Sequence, residues 1–137
     1  MPVVGFDHIA LPTSDPERFI EFYKRLGFNI IDEDKWRKGE ARTFAIQVGE
    51  SKVNVHPPDL KGVRRGATTT PGCGDLCFVW EGTVAEVLQM LEKAEIKVEL
   101  GPVHRRGGRS GGQTMATSIY IRDPDRNLLE FMVYEGL

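Results

Sequence analysis

Hydrophobic and polar positions along this chain follow two rhythms, and the order in which they alternate occurs twice. Val3 to Leu11 alternates with period two, with Phe6, His8 and Ala10 on one face and Asp7, Ile9 and Leu11 on the other. That pattern predicts a strand, which Pro12 ends. Asp15 then offers an N-cap with Pro16 at the first helical position. Phe19, Ile20, Tyr23 and Leu26 recur at helical spacing up to Gly27, so one amphipathic helix follows. Phe28 to Asp32 reads as a short strand, and the polar stretch Glu33 to Glu40 as a loop or hairpin end in which Trp36 has no evident role. Arg42 to Val48 and Lys52 to His56 alternate again on either side of Gly49-Glu50-Ser51, giving two more strands.

The stretch from Pro57 to Gly74, with its Pro, Gly, a Thr run, Arg64 and Arg65, breaks the pattern, and then the order restarts. Asp75 to Trp80 is a strand, and Thr83 with Glu86 forms a capping box ahead of the helical positions Val84, Val87, Leu88 and Leu91. Lys97 to Leu100 begins another strand, a Gly- and Arg-rich loop covers 105–112, and Met115 to Ile121 and Leu128 to Tyr134 supply the last two strands. Each half reads strand, helix, strand, strand, strand. The expectation is a single α+β domain made by duplication, with module 1 at 1–57, a linker at 58–73 and module 2 at 74–137.

Superposing the halves sets His8 on Asp75 and Asn54 on Glu130. In each half the apolar partners pack beneath that half's helix: Ile9, Leu11, Val53 and Val55 in the first, and Leu76, Phe78, Leu129 and Phe131 in the second. The opposite faces then carry His8, Asn54, His56, Asp75 and Glu130, together with Thr43, Gln47, Ser118 and Tyr120. Glu130 stands out, because a charge inside the apolar run Leu128 to Tyr134 is costly unless it is paired, hydrogen-bonded or bound to a cation. Taken singly, these residues have ordinary readings: a hydrogen-bonded structural His8, a His56 at a strand end before two prolines, an Asp75 capping a turn. Taken together, imidazole and carboxylate groups on one side of separate strands are a ligand set suited to Fe, Mn, Co, Ni or Zn.

Composition narrows the rest. Apolar residues make up 40% and charged residues 28% of the 137, as in ordinary globular domains, and the formal net charge is -2. No nucleic-acid or membrane partner is therefore expected. With no basic leader and no long apolar run, the expected location is cytoplasmic. Cys73 and Cys77 are read as reduced packing residues, Cys73 the more exposed, and suggest neither a disulfide scaffold nor a thiolate zinc site.

Several motifs carry a family resemblance: Phe6-Asp7-His8-Ile9-Ala10-Leu11, Lys52-Val53-Asn54-Val55-His56, Gly74-Asp75-Leu76-Cys77-Phe78, and Arg122-Asp123-Pro124-Asp125-Arg126-Asn127-Leu128-Leu129-Glu130. With them the chain resembles the vicinal oxygen chelate superfamily, and most of all its small glyoxalase-domain proteins. The resemblance implies two βαβββ modules forming a curled mixed-sheet cup, usually in a homodimer, with a divalent metal on the cup floor. By position, His8 and Glu130 match the first- and last-strand metal ligands. Asp75 stands where the metal enzymes usually have His, and Asn54 stands where glyoxalase I has Glu, so His56 or Asp75 would complete the site. Glu130 or Asp75 would move the proton, while Asn54, Gln47 and Tyr120 would orient substrate. Arg109, in the Gly- and Arg-rich loop, would close over an acidic one. The function implied is metal-dependent isomerase, lyase or dioxygenase chemistry on a small molecule with neighbouring oxygens. The alternative is a metal-free binding protein of the bleomycin-resistance type.

Overall fold

The computed structural model describes residues 2–134; residue 1 and residues 135–137, which the sequence reading includes in its two modules, lie outside the described residues. The chain divides into two compact units, Met1–Cys73 and Gly74–Leu137. The first contains β1 (His8–Pro12), α1 (Pro16–Arg25), β2 (Ile30–Ile31), α2 (Glu33–Arg37), β3 (Phe44–Val48) and β4 (Ser51–His56). Its sheet runs β1-β4-β3-β2, with β1 parallel to β4 and the other neighbours antiparallel. The second contains β5 (Asp75–Val79), α3 (Val84–Lys93), β6 (Leu100–Arg106), a 3-10 turn (Arg109–Gly112), β7 (Met115–Arg122) and β8 (Leu128–Val133). Its sheet runs β5-β8-β7-β6 and mixes the two senses in the same way. The α+β class is thus as the periodicities predict, and the two mixed sheets are as the family resemblance implies.

The register of the parallel pairs repeats between the units. His8 lies opposite Lys52 and Ala10 opposite Asn54, while Asp75 lies opposite Leu128 and Cys77 opposite Glu130. Because side chains alternate between faces, this register fixes which residues are buried. In the first unit Leu11, Phe44, Ile46, Val53 and Val55 are buried along with Phe19, Ile20, Tyr23 and Leu26. The Phe19 ring stacks on Tyr23 at 4.3 Å and meets Phe44 at 6.0 Å. In the second unit Val87 and Leu91 of α3 are buried, as are Phe78, Ile119, Ile121, Leu129 and Phe131. Each such apolar side chain contributes about 1.5–3 kcal/mol by leaving water.

The helix signals resolve into contacts. Asp15 accepts from the Arg18 backbone N–H at 3.2 Å, and Pro16 occupies the first turn of α1. Thr83 and Glu86 form a reciprocal capping box, with the Glu86 N–H donating to Thr83 Oγ1 at 3.2 Å and the Thr83 N–H donating to Glu86 Oε1 at 2.8 Å. Thr83→Ala removes one half of that pair and should cost about 1 kcal/mol, read as a drop in the urea midpoint.

Some expectations change. The strand read from Val3 to Leu11 is only His8–Pro12, with Pro12 inside it, and Ile9 is exposed rather than packed beneath the helix. Glu33 to Glu40 is not simply a loop, since Glu33–Arg37 forms the helix α2. With Trp36 its only large apolar residue, it has no apolar stripe for periodicity to detect. Ion pairs hold it instead: Lys24 to Glu33 at 2.6 Å, Arg37 to Glu33 at 2.9 Å and Arg37 to Glu17 at 2.8 Å. Trp36 finds its role against Phe44, 5.1 Å between ring centroids. The Gly- and Arg-rich segment is likewise largely ordered, because β6 extends through Arg105 and Arg106 and the 3-10 turn follows. Among the described residues, no helix is long and apolar enough to cross a membrane.

Candidate functional site

In the second unit the open face of the sheet is built around Glu130. The Asp123-Pro-Asp-Arg-Asn127 turn sets the start of β8. Asp123 Oδ1 accepts from the backbone N–H of Asp125 at 3.0 Å and of Asn127 at 2.9 Å, and the Asn127 amide donates to Asp123 Oδ2 at 2.8 Å. Asn127 Oδ1 in turn accepts from the Gly74 N–H at 2.7 Å, which ties the turn to the entry of β5. Three residues on, Glu130 lies opposite Cys77 on one side and Tyr120 on the other. Ser118, fully buried, donates its hydroxyl to Glu130 Oε2 at 2.5 Å.

Electrostatics around this carboxylate are uneven. Although Cys77 is exposed as a residue, partial desolvation against the sheet pushes its thiol up to about 12, and the charge of Glu130 adds to that shift. Tyr120 is also raised, by burial first and by Glu130, while Arg105 opposes the rise from 5.9 Å above the ring. Both groups therefore stay protonated at neutral pH and can donate. Asp75 is exposed at the start of β5, opposite Leu128, one residue pair away from Glu130 along the same face. Arg109 lies over Tyr134 at 3.9 Å from the ring centroid. Gly107 approaches so closely that a Cβ there would fall 2.6 Å from Met132 Sδ and collide with the Tyr134 hydroxyl. The loop is thus packed onto its own unit's sheet.

In the first unit His8 is exposed on β1, with its Nδ1 2.7 Å from Asp7 Oδ1. An ionised carboxylate only accepts, so Nδ1 carries the proton of this bond, and in the neutral ring Nε2 is left with a free lone pair. Asn54 lies between Ala10 and Ala45 in the sheet. Gln47 is taken up locally, accepting from Asn29 Nδ2 at 3.3 Å and donating to the Gly49 carbonyl at 3.4 Å. His56 takes part in a different cluster. Its Nδ1 accepts from Arg65 Nε at 3.1 Å, at the edge of a cavity of about 390 Å³ lined by Ala10, Pro12, Arg64, Arg65, Thr68 and Thr69 among others.

Burial, and after it the charge of Arg65, holds the His56 pKa below its ordinary 6.5. The unfolded chain takes up a proton there that the folded chain refuses until lower pH. The stability owed to the neutral ring is therefore intact above pH 6.5 and is lost as pH falls through the folded value. Urea midpoints compared at about pH 8 and about pH 5 should fall further for the parent chain than for His56→Gln.

Within either unit, among the described residues, no three His, Cys, Asp and Glu side chains come together as a metal-holding set. What each unit does offer is one prepared donor: His8 held by Asp7, and Glu130 held by Ser118. Imidazole and carboxylate, each here with an outer partner, are donor types that a first-row divalent ion accepts. Sequence reasoning missed the cluster of Arg64, Arg65, Thr68 and Thr69, since an Arg pair in a Gly/Thr-rich stretch reads as solvated linker. It also misread Cys77, which is exposed as Cys73 is.

The sequence profile of the Glyoxalase/Bleomycin resistance protein/Dioxygenase superfamily matches residues 5–131, and the chain belongs to that superfamily. A glyoxalase domain-containing protein of Mycosarcoma maydis is 33% identical over 135 residues, covering 98% of this chain and 71% of that protein. A virulence protein of Salmonella typhimurium is 36% identical over 135 residues, covering 98% of this chain and 87% of the relative. Its crystal structure superposes with a TM-score of 0.84 over 98% of this chain and 99% of its own.

Proposed function

We propose that this chain is a metal-dependent enzyme of the glyoxalase type, acting on a small substrate with neighbouring oxygens. The observation that supports it most is the outer-partner arrangement at the two family ligand positions. Asp7 fixes the His8 ring so that Nε2 is the ligating atom, and Ser118 anchors Glu130 Oε2. A sequestering protein has no evident need for either arrangement. His8 and Glu130 would each offer a divalent cation a donor, and the ion would supply Lewis acidity toward two adjacent substrate oxygens. Glu130 accepts the substrate proton in isomerase or lyase chemistry, while Ser118 holds its carboxylate in place. Tyr120, protonated and opposite Glu130, donates a hydrogen bond to substrate oxygen.

One observation favours the second reading, a metal-free small-molecule binder. His56 Nδ1 is already engaged by Arg65, which leaves only Asp75, a carboxylate where the metal enzymes usually have His, to complete the site. Elemental analysis of protein purified without chelator or affinity tag separates the two. Near-stoichiometric Fe, Mn, Co, Ni or Zn, lost in His8→Ala, supports the enzyme. An empty protein that takes up none of these ions when they are offered leaves the binder.

A further inference from the structure

The cavity beside His56 is unlike the Glu130 face in chemistry. Its polar lining consists of Arg64, Arg65, His56, Thr68 and Thr69, with no carboxylate, while Ala10 and Pro12 form apolar wall. Among the described residues neither arginine has an acidic partner within ion-pair distance. Arg65 is half-buried and spends Nε on His56, which leaves its terminal nitrogens as donors. That same bond sets the imidazole tautomer. Since Nδ1 accepts, the neutral ring carries its proton on Nε2 and becomes another donor. Two guanidinium groups, an imidazole N–H and two hydroxyls therefore surround one cavity with an excess of donors. Arg64 is exposed and Arg65 is half-buried with only His56 as its partner, so with no carboxylate beside them the two place uncompensated positive charge at one cavity, which an anion would complement.

We propose that this cavity binds the phosphoryl group of a small phosphate ester. A carboxylate has two oxygens, whereas a phosphoryl group has three terminal oxygens and more charge, which better matches the number of donors. The cavity volume is at the lower end of small-molecule sites, enough for the ester of a small metabolite rather than a nucleotide. The site is confined to the first unit and does not require the metal chemistry proposed for His8 and Glu130.

The test is an NMR titration of the full chain after treatment with chelator, following the imidazole resonances of His56, with inorganic phosphate, glycerol 3-phosphate and acetate as probes. The three histidines of the chain make the assignment simple, using His56→Gln. Saturable shifts with glycerol 3-phosphate, weaker or absent with acetate, are expected, and Arg64→Gln or Arg65→Gln should weaken binding about tenfold to hundredfold. A stronger response to glycerol 3-phosphate than to inorganic phosphate identifies the ester, and the reverse order overturns the ester assignment. Acetate equal to the phosphates overturns the phosphoryl assignment. So does the absence of any saturable shift, or the same affinity in Arg64→Gln, which leaves the His56 contact intact. Because the metal has been removed, none of these outcomes depends on whether the enzyme reading holds.

Discussion

Glu130→Gln is expected to lower the affinity for a divalent cation by at least about a hundredfold, measured by calorimetric titration of chelator-treated protein. Losing an outer partner of a metal ligand already costs about 10- to 100-fold, and here the ligand's own charge is removed. Glutamine has nearly the same shape, and its carbonyl can still accept from Ser118, so the urea midpoint should stay close to that of the parent chain. A second readout is independent of metal. Glu130 contributes to the raised pKa of both Cys77 and Tyr120, so the glutamine variant should lower both. In a Cys73→Ser background the Cys77 thiol should then react faster with a disulfide reagent at mildly alkaline pH. Unchanged metal affinity in a variant with faster thiol chemistry would refute the ligand role while confirming that the carboxylate had been neutralised.

Asn127→Ala is expected to cost about 2–4 kcal/mol in urea unfolding. Asn127 is fully buried, and its side chain serves two neighbours at once, donating to Asp123 and accepting from the Gly74 N–H. Alanine leaves the Gly74 N–H without this acceptor and takes an amide donor from Asp123, which is itself buried. Asn127→Asp should be at least as harmful, since it sets a second carboxylate against the first in a poorly solvated turn. A loss below about 1 kcal/mol for the alanine variant would mean that water replaces the amide, and the turn would not be the anchor described above.

Much of this architecture is legible in the residues because it is periodic. The alternation in Lys52 to His56 and Leu128 to Tyr134 identifies the open faces, and the caps at Asp15 and Thr83 locate the long helices. What is not periodic stays hidden. The helix α2 is held by charges from Glu17 and Lys24, far away in sequence, and no local pattern announces them. The placement of Ser118 and Tyr120 beside Glu130 follows from alternation, but the Ser118 hydrogen bond depends on the register between β7 and β8. Arg109 reads as a loop cation because glycines surround it, yet one of them, Gly107, packs closely against Met132 and Tyr134, and Arg109 lies over the Tyr134 ring. Arg64 and Arg65 looked solvated for the same compositional reason, and only the fold brings Arg65 to His56.

The repeated register of the parallel pairs has an evolutionary consequence. The position that holds Asn54 in one unit holds Glu130 in the other, and in both it projects from a sheet whose opposite side carries the apolar packing. A side chain at such a position is largely uncoupled from the packing beneath the sheet, so the two units can carry different chemistry on one kind of scaffold. One copy could acquire an acidic group and the other a cluster of donors without either change first having to be rescued elsewhere. Asn54→Glu is therefore expected to leave the urea midpoint close to the parent's, whereas Glu130→Asn also gives up the Ser118 contact.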